Sequence, residues 1–562
     1  MMQNHSDILD KLRKSLKEKG ADAYFCFVSD PHLSEYIAPR YETVRFLTGF
    51  TGTDARLLVS QEKAWLWADS RYWEQARIEL KNEPSIELMT WGAPETPEPL
   101  EMIAKLNTGS PLHLALDPSI FPYETYREIE DSVCKVICVG EDFIDRLWPD
   151  RPLQEFRNIW PIKAGQDVSE KLVKMESELD RVAKERSVPS ENLLLLSCKM
   201  DDCAWLTNLR GSDIEYNPVF YSAVLLGKKV KTIFLNVSSL SRELTEQIMA
   251  SGLSIAPYQD FWPCVRKLAS QGWYFAADTF ENNALLGCVP ADHLFSVRWP
   301  IASLKSIKTP SEIEGMRLAL KLDAEAQIAT VAEIRRRLSL GETLTESDCA
   351  LILHKEHTKQ KEFITESFAT SAATGENAAL PHYEPVPGRD SVLVPPCLLL
   401  IDSGAHYTCG TTDTTRVYLL GNKEDLPETT LSDIKKDYTA VYNGLMALTN
   451  TSFKPGTCGA DIDWMAHTPI KALGIDYGHG TGHGVGYILN VHETPPSISG
   501  KKRPSSLTPL QPGMIHSIEP GIYREHVRGI RLENMVVVVQ KDSETLGFET
   551  LTSLPIDKDL LE

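Results

Sequence analysis

The stretch Gly478-His-Gly-Thr-Gly-His-Gly-Val-Gly486 places His479 and His483 four residues apart among five glycines. Each glycine costs a helix about 1 kcal/mol relative to alanine, so we predict an irregular segment here. Glycine also lets the backbone approach a neighbouring group closely. The stretch is therefore either a flexible loop with incidental histidines or a segment that brings an imidazole to a bound group.

Two aspartates precede this stretch near a short apolar run. The run Cys397–Ile401 is strand-like and leads into Asp402. Gly404 and Gly410 allow a hairpin that returns Asp413 beside Asp402, where two carboxylates would bracket a cation. For an isolated pair, two solvated aspartates at strand ends would be the simpler interpretation.

Two glutamates follow the stretch. The strand-like run Met514–Ile518 leads into Glu519, after which proline and glycine allow a hairpin. Glu533 is predicted to lie in a central strand, where an ionised glutamate is rarely buried unless it is paired or binds a metal. Arg531 shares its face at period two, so a simple salt bridge is the alternative.

Taken together, these side chains are typical of a two-metal site. Four carboxylates and one imidazole are a poor set for redox chemistry or a structural zinc, but they suit two moderately hard divalent cations that share a water. The set predicts hydrolysis by a metal-activated water. Its members are Asp402, Asp413, His483, Glu519 and Glu533.

The bulk composition limits the class of protein. The 562 residues suggest three or four domains, and 78 acidic against 58 basic residues give a net charge of −20, which argues against a nucleic-acid partner. The first twenty residues predict a polar amphipathic helix without a signal-peptide core, and we expect no membrane span. The 11 cysteines form no CxxC pair and indicate reduced thiols in a cytoplasmic protein.

The first half contains a faint internal repeat. A helix-like stretch, a strand, a turn and two further strands occur twice, with FLTGFTGT (46–53) and WLTNLRGS (205–212) at the turns. Chance similarity of two α/β patterns is the alternative. We predict two similar α/β domains, at 1–152 and 153–308, and an α+β domain at 309–562 whose first helix is capped by Thr309 or Ser311.

The complete set of motifs resembles one family. In its order of motifs the chain is similar to the pita-bread metallopeptidases, above all aminopeptidase P, the Xaa-Pro aminopeptidases, in their three-domain cytosolic form. The front half resembles that family's two creatinase-like domains. The matching strings are HLSEYIA (32–38), WADSRY (67–72), WLTNLRGSDIEYNPVF (205–220), LIDSGA (400–405), GTTDTTR (410–416), GHGTGHGVG (478–486), NVHE (490–493), EPG (519–521) and GIRLEN (529–534).

The resemblance implies a role for particular residues. It implies that the five ligands hold two divalent ions, usually manganese, with zinc or cobalt as alternatives. It implies that His382, His479 and His492 bind substrate and assist catalysis, with Glu519 as ligand and base. Arg531 would orient Asp402 or Glu533. Arg71 is a candidate for substrate binding, and a structural role is its alternative.

The implied activity is release of the first residue from peptides with proline at position 2. The resemblance also implies a homodimer. A prolidase that cuts only Xaa-Pro dipeptides and a methionine aminopeptidase are the nearest alternatives, although the doubled N-terminal module disfavours both. A non-catalytic pita-bread module that binds peptide or protein is the alternative from another class, and the survival of all five ligand types disfavours it.

Overall fold

The computed structural model describes residues 5–109 and 111–562. The expected first helix forms over His5–Lys19, while its first four predicted residues lie outside the described part. Contacts divide the chain into two compact units. The first holds residues up to Pro161, Asp167–Glu215 and Val219–Ile301, and the second holds Ile162–Gln166, Tyr216–Pro218 and Ala302–Glu562.

The first unit begins with a six-stranded sheet. Its helices are α1 (His5–Lys19), α2 (Thr43–Thr48), α3 (Trp73–Glu79), α4 (Pro99–Gly109), α5 (Tyr123–Ser132) and α6 (Glu141–Asp145). Its strands are β1 (Ala23–Phe27), β2 (Ala55–Ser60), β3 (Ala64–Ala68), β4 (Ile86–Thr90), β5 (His113–Leu116) and β6 (Lys135–Cys138). They run in the order β4-β3-β2-β1-β5-β6.

A second six-stranded sheet follows in the same unit. Its helices are α7 (Val168–Arg186), α8 (Met200–Thr207), α9 (Arg242–Ala250) and α10 (Phe261–Ser270). Its strands are β8 (Leu193–Ser197), β10 (Ser222–Leu226), β11 (Lys231–Leu235), β12 (Ser254–Pro257), β13 (Tyr274–Ala277) and β14 (Leu294–Ser296). A separate two-stranded sheet pairs β7 (Ile159–Pro161) with β9 (Leu209–Gly211).

The two large sheets have the same topology. The second runs β12-β11-β10-β8-β13-β14, so each strand has a counterpart in the first. In both, the central strand is antiparallel to the next large-sheet strand and parallel to a later one: β1 with β2 and β5, and β8 with β10 and β13. The inner strands β3, β8 and β10 are buried on both faces, whereas the outer strands β4, β6 and β12 are partly exposed. The repeat predicted from the sequence is therefore a repeat of architecture.

The second unit carries the candidate ligands. Its helices are α11 (Ala302–Lys305), α12 (Pro310–Ser339), α13 (Glu346–His357), α14 (Glu428–Thr449), α15 (Gly459–Ile462) and α16 (Trp464–Lys471). Its strands are β15 (Phe363–Glu366), β16 (Ser371–Thr374), β17 (Cys397–Ser403), β18 (Ala405–Tyr407), β19 (Gly410–Thr411), β20 (Thr414–Leu420), β21 (Ser452–Phe453), β22 (Gly482–Gly484), β23 (Glu493–Ile498), β24 (Ile515–Ile518), β25 (Gly521–Arg524), β26 (Arg528–Arg531), β27 (Asn534–Gln540) and β28 (Leu546–Thr550).

Sheets of two to six strands build this unit. The orders are β15-β18-β19, β16-β17-β20, β21-β28-β27-β24-β22-β23 and the hairpin β25-β26. Helix α14 packs its buried Tyr438, Val441 and Leu445 in one core cluster with Val536 and Val538 of β27. Burial of each such side chain contributes about 1.5–3 kcal/mol, so this packing holds the strands that deliver the ligands.

Local details confirm some expectations and correct others. Thr309 caps α12, with Glu312 completing a capping box. The helical pattern of the sequence at about 460–473 predicts one helix, but the structure divides it into two short helices, α15 and α16, at Asp463, whose backbone angles stay helical. The three domain boundaries remain predictions. Among the described residues, no helix has both the length and the apolar character to cross a bilayer.

Candidate metal centre

The predicted ligands come together in the second unit. Their ligand atoms form three overlapping groups, each with all atoms within 4.8 Å of one another. The groups are Asp402, Asp413 and Glu533; His483, Glu519 and Glu533; and Asp413, His483 and His492. All five residues predicted as ligands therefore belong to one cluster, with His492 beside it.

Strand pairing brings the two aspartates together. β17 and β20 are antiparallel, and Asp402 lies opposite Thr415 in their register. Asp413 directly precedes β20, after the short strands β18 and β19. The expected hairpin is thus present with two extra strands at its tip. Gly404 is required there, since a Cβ would lie 2.0 Å from the Thr412 carbonyl oxygen.

His483 and Glu519 come from neighbouring strands and share Ser517. The Ser517 hydroxyl accepts from the His483 N–H at 3.0 Å and donates to Glu519 Oε1 at 3.1 Å. Gly482 permits this approach, because a Cβ would lie 2.0 Å from the Ser517 carbonyl oxygen. His483 Nδ1 lies 2.9 Å from the Gly484 carbonyl, to which it donates. This fixes the tautomer and leaves the Nε2 lone pair for a metal.

Glu533 is buried, but the predicted strand position is wrong. It lies in the short connection between β26 and β27, because the chain leaves one sheet and enters another there. The Thr415 hydroxyl donates to Glu533 Oε2 at 2.9 Å, and the Glu533 N–H donates to the Thr415 carbonyl at 3.2 Å. These contacts aim its carboxylate at the cluster.

Arg531 orients Asp402 directly. Its Nη2 donates to Asp402 Oδ2 at 2.5 Å, and its Nη1 donates to the Tyr523 hydroxyl at 3.0 Å. Its Nε donates to Thr415 Oγ1 at 3.2 Å, so Glu533 is reached only through Thr415. The alternative of a simple Arg531–Glu533 salt bridge is not what the structure contains. Burial lowers the pKa of Arg531, but Tyr523 and Asp402 outweigh it and keep the guanidinium charged.

The electrostatics of the cluster require positive charge. Burial, followed by the neighbouring carboxylates, raises the pKa of both Asp413 and Glu533 well above the ordinary range. Two unit charges 4.8 Å apart repel by about 3.5 kcal/mol at an effective dielectric constant of ~20. Three ionised carboxylates would therefore cost about 10 kcal/mol without a cation, so the cluster either takes up protons, as the raised pKa values indicate, or binds positive ions.

The donor set also fits cations in detail. Among the described residues, the buried atoms Asp402 Oδ1 and Glu533 Oε1 have no hydrogen-bond partner. A buried oxygen without a partner costs about 1–3 kcal/mol, and a carboxylate costs more. Oxygen-rich ligands with one imidazole match hard to borderline divalent ions. The residues therefore fit a two-metal centre.

The histidines near the cluster differ in their contacts. The His492 ring lies 4.4 Å from the His483 ring and perpendicular to it. His479 Nε2 lies 2.8 Å from the Tyr523 hydroxyl, and its Nδ1 lies 2.8 Å from the Gly480 carbonyl. Both nitrogens of His479 are therefore engaged, and a substrate oxygen would have to replace one of these partners.

His382 lies half-buried in the loop between β16 and β17. Glu346, at the start of α13, is fully buried, and its carboxylate binds this loop by hydrogen bonds. The carboxylate accepts from the Thr374 N–H at 2.6 Å, the Tyr383 hydroxyl at 2.7 Å and the Ser391 N–H at 2.8 Å. The place of His382 in the substrate site remains a prediction.

Arg71 lies in the first unit. Its Nε donates to Asp69 Oδ1 at 2.6 Å, and its Nη2 lies 3.5 Å from Asp54 Oδ2. Burial lowers the pKa of Arg71, but Asp69, Tyr72 and Asp54 outweigh this effect and raise it overall. The guanidinium is therefore charged. Its predicted contact with substrate remains a prediction.

Sequence reasoning missed three supporting residues: Thr415, Ser517 and Tyr523. Each is a hydroxyl-bearing side chain next to a ligand in the chain or across a hairpin. The turn residues after Glu519 were the available signal for Tyr523, because a hairpin at 521–531 brings β25 against Arg531. Thr415 and Ser517 carried no such signal.

Family models match nearly the whole chain. The model of metallopeptidase family M24 matches residues 314–540, and two creatinase/prolidase N-terminal domain models match residues 8–147 and 148–312. A protein of Botryotinia fuckeliana named probable Xaa-Pro aminopeptidase P is 34% identical over 100% of this chain and 86% of its own length. The chain belongs to the aminopeptidase P family of M24 metallopeptidases.

Other members of the family are similarly related. Aminopeptidase P2 of Arabidopsis thaliana is 32% identical over 99% of this chain and 82% of its own length. The crystal structure of X-prolyl aminopeptidase from Caenorhabditis elegans, described as a cytosolic enzyme with a di-nuclear active site, is 27% identical. The structural match covers 100% of this chain and 92% of the Caenorhabditis elegans chain, with a TM-score of 0.91. The fold is therefore two creatinase-type N-terminal domains followed by a pita-bread catalytic domain.

Replacing His483 with alanine tests the ligand set. We expect metal content to fall to about one ion or fewer per chain, because the imidazole that faces Asp413 and Glu519 is lost, and hydrolysis to fall with it. Elemental analysis and peptide hydrolysis measure the two quantities. His354→Ala, which removes an exposed imidazole on α13, should leave both unchanged. Full metal content in His483→Ala would contradict the assignment.

Replacing Arg531 with methionine tests the support of Asp402. We expect affinity for one metal ion to weaken by about 10- to 100-fold, because Asp402 loses the guanidinium that orients it. Calorimetric titration of the apo-protein with Mn²⁺ measures this loss. Arg528→Met, on the same hairpin but bound to Asp437, is the matched control and should retain the affinity.

Proposed function

We propose that this protein hydrolyses the first peptide bond of peptides whose second residue is proline, with release of the N-terminal amino acid. The observation that carries the proposal is the cluster of Asp402, Asp413, His483, Glu519 and Glu533 within a chain that matches Xaa-Pro aminopeptidase P relatives from end to end. Since all five ligand types are present and close together, a purely binding module is disfavoured.

The metal centre would hold two divalent ions, with manganese as our proposal for their identity. Asp413, His483, Glu519 and Glu533 would hold one ion, and Asp402 would hold the other with Asp413 and Glu533 shared between them. Two such ions lower the pKa of a shared water and polarise a carbonyl group. Reconstitution of apo-protein with Mn²⁺, Zn²⁺ or Co²⁺ distinguishes the metals by the restored activity.

The chain's own side chains would handle protons and orient the substrate. The Glu519 carboxylate, held by Ser517, is our candidate for taking a proton from the attacking water and passing it to the leaving amine. His479 would stabilise the charge that develops on the carbonyl oxygen after it exchanges one of its present partners. His382 would steady the substrate and the oxyanion together with His479, and His492 would flank the residue after the cut bond.

Selection of proline follows from its covalent structure. Proline has no amide N–H and a fixed φ, so an enzyme that binds that N–H loses a contact. An apolar slot shaped for the ring selects it instead. The free α-amino group of the substrate would bind near Asp402, whose charge is held in place by Arg531.

We also propose a homodimer in the cytoplasm. The cytosolic description of the Caenorhabditis elegans relative and eleven free cysteines without a disulfide support this location. Sedimentation of the purified protein tests the dimer, and fractionation of cells tests the location.

A peptide panel tests the specificity. With Mn²⁺ present, we expect cleavage of an Xaa-Pro-Xaa tripeptide at a rate far above that of the matched Xaa-Ala-Xaa tripeptide, because alanine would leave the ring slot unfilled and would bury an amide N–H without a partner. Mass spectrometry of the products measures both rates. Cleavage of the Xaa-Pro dipeptide alone would favour a prolidase and overturn the proposal.

Replacing His479 with alanine tests its role in turnover. We expect kcat to fall by about 10²- to 10³-fold, since a donor to the developing oxyanion is lost. Metal content should be unchanged, because His479 contacts Tyr523 and Gly480 rather than the ligands. Steady-state kinetics and elemental analysis on one preparation measure both. A fully active variant would contradict this role.

A further inference from the structure

His467, on α16, is held between two carboxylates. Its Nδ1 lies 2.5 Å from Asp476 Oδ1, and its Nε2 lies 3.2 Å from Asp463 Oδ2. A neutral imidazole has only one N–H, so only the imidazolium donates to both carboxylates. The arrangement is therefore built for the protonated form. Loss of the proton would set a bare nitrogen lone pair against one carboxylate.

The other groups around His467 support the same charge state. Burial lowers the pKa of His467, but the hydrogen bonds to Asp463 and Asp476 outweigh it and raise the pKa above its ordinary value. Lys471 Nζ, on the same helix, lies 3.3 Å from Asp476 Oδ2 on the far side of that carboxylate. Tyr477 presents its ring to the imidazole.

Asp463 connects His467 to the glycine-rich segment. The Thr481 hydroxyl donates to Asp463 Oδ1 at 2.5 Å, and the Gly500 N–H also donates to this carboxylate. The Thr481 carbonyl accepts from the Glu519 N–H at 2.8 Å. Asp463 is 6% exposed, so these contacts are shielded from water. His467 neutralises this buried anion, which would otherwise be costly.

Tyr477 makes a second connection. Its ring is stacked on His467, with centroids 4.0 Å apart, and lies 4.8 Å from the His479 ring. Its hydroxyl lies 2.7 Å from Thr481 Oγ1 and donates to it, since the Thr481 proton goes to Asp463. His467 is thus connected to both ends of the segment that carries His479.

That segment has few other side chains to hold it. Three of the residues from Tyr477 to Gly482 are glycines, which have wide backbone freedom and no side chain to pack. The conformation of the segment therefore depends on Tyr477, His479 and Thr481. Two of these three are held by His467 or by its partner Asp463.

We propose that the protonated side chain of His467 is a positioning residue, which holds the segment carrying His479 in the conformation required for turnover and releases it as the proton is lost with rising pH. The kinetic part of this inference rests on the role of His479 in the proposed function. His467 contacts neither the predicted ligands nor the substrate, so its effect is expected in kcat rather than in metal content.

Two substitutions at position 467 separate charge from packing. His467→Gln removes the charge and sets an amide oxygen against one of the two carboxylates, and we expect kcat on Xaa-Pro-Xaa to fall about tenfold with metal content unchanged. His467→Arg keeps a permanent charge with several donors, so it should restore kcat and flatten the alkaline fall in kcat. His354→Gln removes the imidazole paired with Glu366 on α13 and should retain the wild-type pH profile.

A third variant tests the titration of His467 and leaves the buried carboxylate of Asp463 intact. Asp476→Asn removes the more exposed of the two carboxylates, so the pKa of His467 should fall and the alkaline limb of kcat should move to lower pH. An unmoved limb would overturn the proposal. Equal kcat values for His467→Gln and His467→Arg at the wild-type optimum pH would overturn it as well, as would loss of metal from His467→Gln.

Hydrogen–deuterium exchange of the Mn²⁺-loaded protein gives a readout without substrate. Amides of the segment 477–483 should exchange faster in His467→Gln than in His354→Gln. In the wild type, their exchange rate should rise with pH by more than the intrinsic pH dependence of amide exchange explains. Unchanged protection would overturn the positioning role. If the wild type does not cut Xaa-Pro-Xaa, the proposed function is wrong. If His467→Gln still exchanges faster than His354→Gln in that case, the positioning of the segment by His467 remains supported.

Discussion

Mutual repulsion among buried carboxylates is the constraint on which the catalytic unit depends. Asp402, Asp413 and Glu533 approach within 4.8 Å in surroundings that raise the pKa of Asp413 and Glu533. Protonation or a bound cation relieves this repulsion, and the raised pKa values of Asp413 and Glu533 favour their protonated forms where no cation is bound. Bound metal ions would displace the protons of these carboxyl groups and make the cluster a stable site.

The surrounding polar side chains make this arrangement specific. Thr415 holds Glu533, Ser517 links His483 to Glu519, and Arg531 holds Asp402. The Thr415 and Arg531 contacts reach their ligands from another strand, and Ser517 joins Glu519, just beyond its own strand, to His483 on the neighbouring strand. A shift of one strand by one residue would turn these side chains to the opposite face, so register and metal binding are coupled.

Much of this was predictable because the signals are local. Apolar runs ending in acidic residues marked the strands before Asp402 and Glu519, and the repeated turn strings in the first half marked two sheets that share one topology. Glu533 was misplaced in a strand because one-dimensional apolar patterning does not show where a chain leaves one sheet for another. Tyr523 was missed because its partners, His479 and Arg531, are brought to it by folding.

The sequence by itself determined the chemistry: four carboxylates and an imidazole, in an order matched by a family, indicate divalent metal ions and hydrolysis. It also determined the doubled α/β architecture, because hydrophobic periodicity is a local property. Only the tertiary structure decided which ligand each supporting residue holds, and that His467 lies between two carboxylates behind His479. Those relations depend on distances between residues far apart in the chain, and residue types in a sequence carry no distances.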